Sequence, residues 1–379
     1  MKVAFVSTYP PTKCGIATYT LPLASALAQK AGLEVSIFAD DKSEAAGEPL
    51  RVEPVFKKKV DFLRPLLAAA ARNQPDIMHF QHTPDLFGMG GAFFELLDEL
   101  GRMGIRRVVT LHTVYTLLSG IIERKPHAVA FHRKLATLCD AIVVHQPSMA
   151  KILESQGIAS DRISEIPHWT GPAMHGNGAA LRERLEIPGD APLLLFFGFI
   201  HIQKNLHTVL KAMPMLLEKV PEARLLIAGS IAGGTWYNNM YHAYLKRIVN
   251  SGNLRYRIHA VNQFIPQEDV EDYYSAADVV LLPYRQGYGS ASGVAHQALA
   301  ARKLMLCSDG PKFEEIGLHV SRDLMVTGYS PASWAEKMAW LLSDSAPRAE
   351  LLQKIEHCAE ASSTASVAER HFKLYKGLL

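Results

Sequence analysis

The sequence predicts an α/β protein made of two parallel-sheet domains, and three observations lead there. Short apolar runs alternate with helical segments, first from Val3-Ala4-Phe5-Val6 and again from Leu193-Leu194-Leu195-Phe196-Phe197. Between these sets, residues 173–190 are polar and rich in Gly, Ala and charge, as a domain boundary is. At 379 residues the chain is long enough for two cores. A strand–helix–strand succession implies a parallel sheet, because the crossover brings the chain back to the end where the first strand began.

Hydrophobic content of 48% with 20% charged residues belongs to a folded soluble chain, not a disordered one. A net charge of +3 is too small to argue for nucleic acid; it permits anionic partners without demanding them. Cys14, Cys139, Cys307 and Cys358 are far apart without metal-ligand spacing, which predicts a reducing compartment. The chain opens directly in a strand pattern, and no apolar run nears the roughly 18 residues of a membrane span. By elimination the expected location is cytoplasmic.

The first strand, Val3 to Val6, ends at Ser7-Thr8 and the Tyr9-Pro10-Pro11 turn. Residues 16–29, behind Gly15, read as an amphipathic helix with Ile16, Tyr19, Leu23, Ala26 and Leu27 on one side and Gly32 as a stop. Glu34-Val35-Ser36-Ile37-Phe38 is the next strand. The intervening turn, Tyr-Pro-Pro-Thr-Lys-Cys-Gly, lacks the Gly-x-Gly-x-x-Gly of a dinucleotide site and excludes a dehydrogenase. Lys57-Lys58-Lys59 precedes Phe62, Leu63, Leu66 and Leu67. This reads either as a solvated cluster beside a core helix or as a peripheral contact with anionic lipid at the inner membrane face.

Strands expected at 76–82, 107–113 and 140–145 carry His82, His112 and His145 at their C-terminal ends, where ligands of open α/β sheets bind. Such histidines can bond sugar hydroxyls or phosphate, or move protons; a structural role is the alternative. His79 and His82 point to opposite faces of one strand, so no zinc is expected. A last strand near Ile163 and a linker through Pro172 close this half.

In the second half, strands are expected at 193–198 and 224–229 with a helix at 205–220 between them, and Ile258–Val261 is a further strand candidate. Lys204, in the loop after the first of these strands, is placed to bind a diphosphate. Val279-Val280-Leu281-Leu282 reads as a buried strand ending at Pro283. Gly287, Gly289, Ser290, Ser292 and Gly293 then form a loop of small residues, whose N–H groups can approach a ligand closely. A helix follows from about Val294, capped by Ser290 or Ser292. Strand, small-residue loop and helix start together suit an anion, usually phosphate, although a plain tight turn has the same appearance. The last helix, 367–379, presents Phe372, Leu374, Tyr375 and Leu378 as a stripe that must pack on something.

Over essentially its whole length the chain resembles the family 4 glycosyltransferases. The matching pieces are Tyr-Pro-Pro-x-x-x-Gly-Ile-Ala-x-Tyr from residue 9, Leu-His-Thr at 111–113, Phe-Phe-Gly-Phe-Ile-x-x-x-Lys-Asn at 196–205, Ala-Arg-Leu-Leu-Ile-Ala-Gly at 223–229, Ala-Ala-Asp-Val-Val-Leu-Leu-Pro at 276–283 and the terminal Ala-Glu-Arg-His-Phe-x-Leu-Tyr. The resemblance implies a GT-B fold, two Rossmann-like domains with parallel sheets facing across a cleft. Residues 1–170 would form the acceptor side, 171–360 the nucleotide-sugar side, and 361–379 a helix crossing back to the N-terminal domain. It further implies a retaining, metal-independent hexosyltransferase without a cofactor. The donor would be a nucleotide-diphosphate sugar and the acceptor a carbohydrate or a lipid-linked molecule, in polysaccharide or glycoconjugate synthesis.

The resemblance also assigns roles. Gly15 approaches the donor phosphates, and His112 stands near the donor sugar. Lys204 neutralises the diphosphate as the leaving group gains charge. Gly198 and the loop Gly289, Ser290, Ala291, Ser292, Gly293 and Val294 hold the donor, while the loops after His82 and His112 face the acceptor. Two departures stand out. Phe199 occupies the place of an arginine, and the family's Glu-x7-Glu pattern is absent. Gln297 falls at the second glutamate, which bonds the ribose; the first falls at Gly289, or at Gln286 if the loop is longer. An amide offers one acceptor and one donor group, so Gln297 can still hold a ribose, more weakly. Arg285 is the candidate to restore positive charge. These departures leave open a non-catalytic nucleotide-sugar-binding or scaffold protein with a decayed donor site. An epimerase is disfavoured for want of an acidic pair.

Overall fold

Every residue of β1 (Lys2–Ser7) after Lys2 is buried, and the alternation of its side chains shows how. Val3 and Phe5 join one apolar cluster, Ala4 and Val6 another. A strand covered on both faces belongs inside a parallel sheet with helices above and below. The computed structural model describes residues 1–12, 14–47, 50–116, 126–231, 236–285, 289–343 and 346–379. They form two units: one of Met1–Trp169, the described part of Gly287–Ala291 and Ser362–Leu379, the other of Thr170–Gln286 and Ser292–Ala361.

In the first unit β1 is followed by β2 (Glu34–Asp40), β3 (Arg51–Phe56), β4 (Ile77–His82), β5 (Arg106–Leu111), β6 (Ala141–Val144) and β7 (Ile163–Glu165). All pair in parallel, in the order β3-β2-β1-β4-β5-β6-β7. The chain order reverses between β1 and β4, the place where open sheets bind ligands. The sequence reading has no strand at β3, which contains Pro54; a proline fits there because β3 is the edge.

The helix Gly15–Ala28 starts one residue earlier than expected, with Cys14 Sγ accepting from the Ala17 N–H. Its buried face is Ala17, Tyr19, Thr20, Leu23, Ala24 and Leu27; Ile16 and Ala26 are only partly covered. The last helix, Thr364–Leu378, packs on it within the same unit. Its fully buried residues are Val367, Ala368, His371 and Tyr375. Of the expected stripe, Phe372, Leu374 and Leu378 are only partly covered, because the true stripe follows the four-residue helical step from Val367 through His371 to Tyr375. The Tyr375 hydroxyl reaches β4, 2.6 Å from His79 Nδ1.

The second unit contains β8 (Leu193–Phe197), β9 (Arg224–Ala228), β10 (Ile258–Val261), β11 (Val279–Leu282), β12 (Leu304–Ser308) and β13 (Met325–Val326). Their order is β10-β9-β8-β11-β12-β13, again parallel, and here the reversal lies between β8 and β11. The loops after β8 and β9 lie against each other: the Gly198 N–H donates to the Ala228 carbonyl at 2.9 Å. Gly229 has φ +146°, and a Cβ there would overlap the Gly198 carbonyl. Gly229→Ala therefore combines a disfavoured backbone with a backbone collision, and a loss of about 3 kcal/mol or more is expected. A urea midpoint equal to that of the unsubstituted chain would show that the two loops do not pack this closely. Among the described residues no helix is long and apolar enough to cross a membrane.

Candidate functional site

The second unit gathers several of the expected donor residues at the ends of β8 and β11. Gly198, with φ +98°, turns the chain out of β8 into a short turn, Ile202–Lys204, and the helix Leu206–Lys219 follows. A Cβ on Gly198 would lie 3.5 Å from Lys204 Nζ and 3.6 Å from Val294 Cγ2, so these three residues share one spot. Lys204 Nζ donates to the Tyr284 hydroxyl at 2.6 Å and lies 4.1 Å from the centre of that ring. Tyr284 bonds in turn to the Ser292 side chain. Ser292 Oγ accepts from the Ala295 N–H at 3.3 Å and caps the helix Gly293–Ala300. One chain of hydrogen bonds thus links the lysine to the start of the helix predicted to face phosphate.

Burial, and then the charge of Lys312, pushes the Lys204 ammonium down to about 7. Burial also drives the Tyr284 phenol up, so it stays a neutral hydroxyl. Lys312, in the turn Pro311–Phe313 after β12, is absent from the sequence reading, where nothing but a lone lysine marks it. Burial brings it down to about 8, with Glu315 acting in the opposite direction. Arg285, expected to supply the missing charge, is exposed and stacks on Tyr329, 4.7 Å from the ring centre. Its backbone alone adjoins the lysine loop, donating to the Gln203 carbonyl at 2.8 Å. Gln297 is half-buried and accepts from the Tyr274 hydroxyl at 3.0 Å, which leaves its NH2 group for another partner. Phe199, in place of the arginine, is 48% exposed and faces Phe264 with ring centres 6.4 Å apart.

Gly289, Ser290 and Ala291 group with the first unit, not with the rest of their loop. Gly289 pairs with Val114 through two backbone bonds of 2.9 and 3.1 Å. A Cβ at Gly289 would press on Met149 Cγ at 2.8 Å, so a side chain at this position requires Met149 to shift. Gln286 and Gly287 lie outside the described residues.

His112 is held at the end of β5. The Ile166 carbonyl, 3.0 Å from His145 Nδ1, can only accept, so His145 is protonated there. A neutral His145 then accepts at Nε2 from His112 Nδ1, 3.2 Å away. This makes His112 Nε2 an acceptor, and the Gln81 amide 2.8 Å away has to turn its NH2 toward it. Burial first, then His145 and His82, hold His112 well below the usual histidine range. Neither ring nitrogen meets a ligand without giving up one of these bonds.

His82, expected beside the acceptor, is enclosed instead. Its ring stacks on Phe131 at 4.9 Å, and Nε2 donates to the Gly88 carbonyl at 2.9 Å. The strand period turns its side chain into the core, and its neighbour Thr83 faces the opening. Thr83 lines a pocket of about 390 Å³ with Cys14, Ile16, Lys58, Thr113 and Tyr115, at the β1/β4 reversal. Gly15, next to Cys14, is exposed and starts its helix. Within the basic cluster, Lys58 lies 3.3 Å from the buried Asp40 and Lys59 2.9 Å from Asp85, so two of its three charges are met inside the unit.

Two family descriptions divide the chain between them. Residues 14–170 match "Glycosyltransferase Family 4" and residues 179–359 match "Glycosyl transferases group 1". The chain is a family 4 glycosyltransferase. Among its relatives, the D-inositol 3-phosphate glycosyltransferase of Xylanimonas cellulosilytica is 26% identical, over 89% of this chain and 85% of that protein. The protein of the same description from Corynebacterium efficiens is 24% identical, over 95% and 90%. The fold is shared with sucrose-phosphate synthase from Thermosynechococcus elongatus, at TM-score 0.78, 19% identity and 100% and 99% coverage. Anabaena HepE, solved in complex with UDP, matches at TM-score 0.74 and 13% identity over the whole of both chains. The two parallel-sheet units are thus those of a GT-B glycosyltransferase.

Proposed function

We propose that this glycosyltransferase moves a hexose from a nucleoside-diphosphate donor, bound by the second unit, to a hydroxyl of a carbohydrate or polyol acceptor taken by the first. The acceptor oxygen bonds the anomeric carbon as the bond from that carbon to the diphosphate oxygen breaks. The electron pair leaves with the diphosphate, and the acceptor's proton passes to a diphosphate oxygen. Bond making and breaking on one face of the sugar retain configuration. The observation that carries this reading is Lys204, whose ammonium stands on a neutral phenol and whose partner chain ends at the cap of Gly293–Ala300. A cation so placed gains most from an anion that grows as the leaving group departs, and no metal is required of the site.

HepE has also been solved with UDP-glucose, which makes UDP-hexoses the first donors to try. The relatives' name, D-inositol 3-phosphate glycosyltransferase, makes that polyol phosphate the first acceptor to try, and the pocket lined by Lys58, Thr83, Asp85, Thr113 and Tyr115 offers a cation and polar residues for it. His112 would exchange its Gln81 bond for a hydroxyl of the donor sugar.

The reading is tested by incubating the chain, with chelator present, with UDP-, GDP- and ADP-hexoses and either D-inositol 3-phosphate or simple sugars. The product's anomeric configuration is then read by NMR. Transfer from one donor with the anomer retained is expected. An inverted product, or transfer that needs added divalent metal, would overturn it; transfer only to a lipid-linked acceptor would overturn the choice of acceptor.

A further inference from the structure

We propose that the solvent face of the helix Trp236–Val249 is a docking surface for a membrane of anionic lipid. The face lies wholly in the second unit, and the proposal does not depend on which donor or acceptor the enzyme takes. The helix buries Tyr241 and Leu245 and turns Trp236, Met240, Ala243 and Arg247 to solvent. Steps of four, three and four residues put these four side chains on one line. Trp236 is 74% exposed and Met240 63%, and Tyr244, beside the line, is exposed as well. Next to this helix in the fold are the helix Leu206–Lys219 and the turn Gly252–Tyr256, whose Tyr256 is 78% exposed.

The charge on this surface has one sign. Residues 223–267 hold five Lys and Arg and no Asp or Glu, although the whole chain has 37 acids. Arg224 and Arg257 turn to Glu222, just before that run, at 3.5 and 3.0 Å. Lys246, Arg247 and Arg255 are exposed, and among the described residues no ion pair holds them. Lys211 adds a fourth cation, its ammonium 5.5 Å from the centre of the Tyr244 ring. Its helix contains one acid, Glu218, about two turns further on and beside Lys219. A protein surface mixes both signs of charge, so an interface built for one would place acids among these cations. A lipid surface is uniformly negative above and apolar beneath. Trp236, Tyr244 and Tyr256 suit its headgroup level and Met240 its acyl boundary, while the long stems of Lys and Arg carry their charges to the phosphates. The cluster Lys57–Lys59, the other candidate for such contact, has two of its charges met inside the first unit.

The test is sedimentation of the full chain with vesicles of phosphatidylcholine, alone or mixed with phosphatidylglycerol, at low and high salt. Tryptophan fluorescence is followed in the same vesicles carrying brominated acyl chains, with Trp236→Phe as the reference. Binding is expected only where phosphatidylglycerol is present, weakening as salt rises, with quenching that Trp236→Phe loses. The pairs Trp236→Ala with Met240→Ser and Lys246→Glu with Arg247→Glu should each weaken binding about 10-fold or more. All four side chains are exposed, so the melting temperatures should match that of the unsubstituted chain within a few degrees. No binding to either vesicle would overturn the proposal. Binding that both pairs leave intact, and that Lys57→Glu with Lys59→Glu abolishes, would also overturn it and assign the contact to the first unit. Binding to polyglutamate as tight as to the vesicles, without quenching by brominated lipid, would overturn it in favour of an acidic protein partner.

Discussion

Replacing Lys204 by Ala is expected to lower kcat/KM by about 100- to 1000-fold, the usual cost of losing one group aimed at developing negative charge. The melting temperature should stay the same or rise. Lys204 is half-buried, its ammonium rests on the Tyr284 hydroxyl, and its pKa is pushed down to about 7. A lysine whose folded value lies below its unfolded one destabilises the fold at low pH. Between about 7 and 10.5 the unfolded chain holds more protons, so stability rises with pH across that window. Removing the side chain relieves this strain and leaves no carboxylate unpaired. Tyr284 keeps its bond to Ser292. Steady-state kinetics and thermal melting on one preparation decide the matter: retained turnover, or a fall in stability to match the loss of activity, would make Lys204 a structural residue.

The second large effect is acid lability of the first unit. His79, His82 and His371 are at most 2% exposed, and all three are held below the usual histidine value of 6.5, first by burial. His82 and His371 are brought to about 4. A lowered histidine contributes fully above the unfolded value and loses its contribution as pH falls toward the folded one, because the unfolded chain takes up the proton first. Going from pH 7 to pH 5, His82 and His371 should each cost about 2 kcal/mol. Together with His79 this is a large part of the 5–15 kcal/mol typical of a domain. Urea unfolding at pH 7, 6 and 5, followed by the fluorescence of Trp169, should show a steadily falling midpoint. A midpoint independent of pH would mean that these rings are not buried as described.

Much of this was legible in the sequence, for reasons that differ between residues. The apolar runs of β1, β8 and β11 stand out because strands buried on both faces tolerate almost no polar side chain. Edge strand β3, with Pro54 and exposed positions, offers no such signal. Lys204 is legible through its place between a strand and a helix. Lys312 is not, because only folding brings the end of β12 against Tyr284. Of the histidines, sequence position alone distinguishes neither His79 nor His82 from His112. What separates them is the direction of each side chain and what covers it. At Gly289, one of the two positions where the first glutamate would fall, the backbone pairs with Val114 and a side chain would meet Met149.

The placement of Thr364–Leu378 in the first unit has a consequence for how the protein is made. Val3, Phe5, Tyr19, Leu23 and Leu27 belong to the apolar cluster that Val367, Ala368 and Tyr375 complete. Those first residues leave the ribosome long before the last ones. At about 5–20 residues per second, the delay is on the order of twenty seconds to more than a minute. Throughout that time the nascent chain carries an unfinished greasy surface while its second unit is synthesised and folds. A chaperone that holds this surface, or a pause in translation, therefore acts on the first unit long after its own sheet has been made.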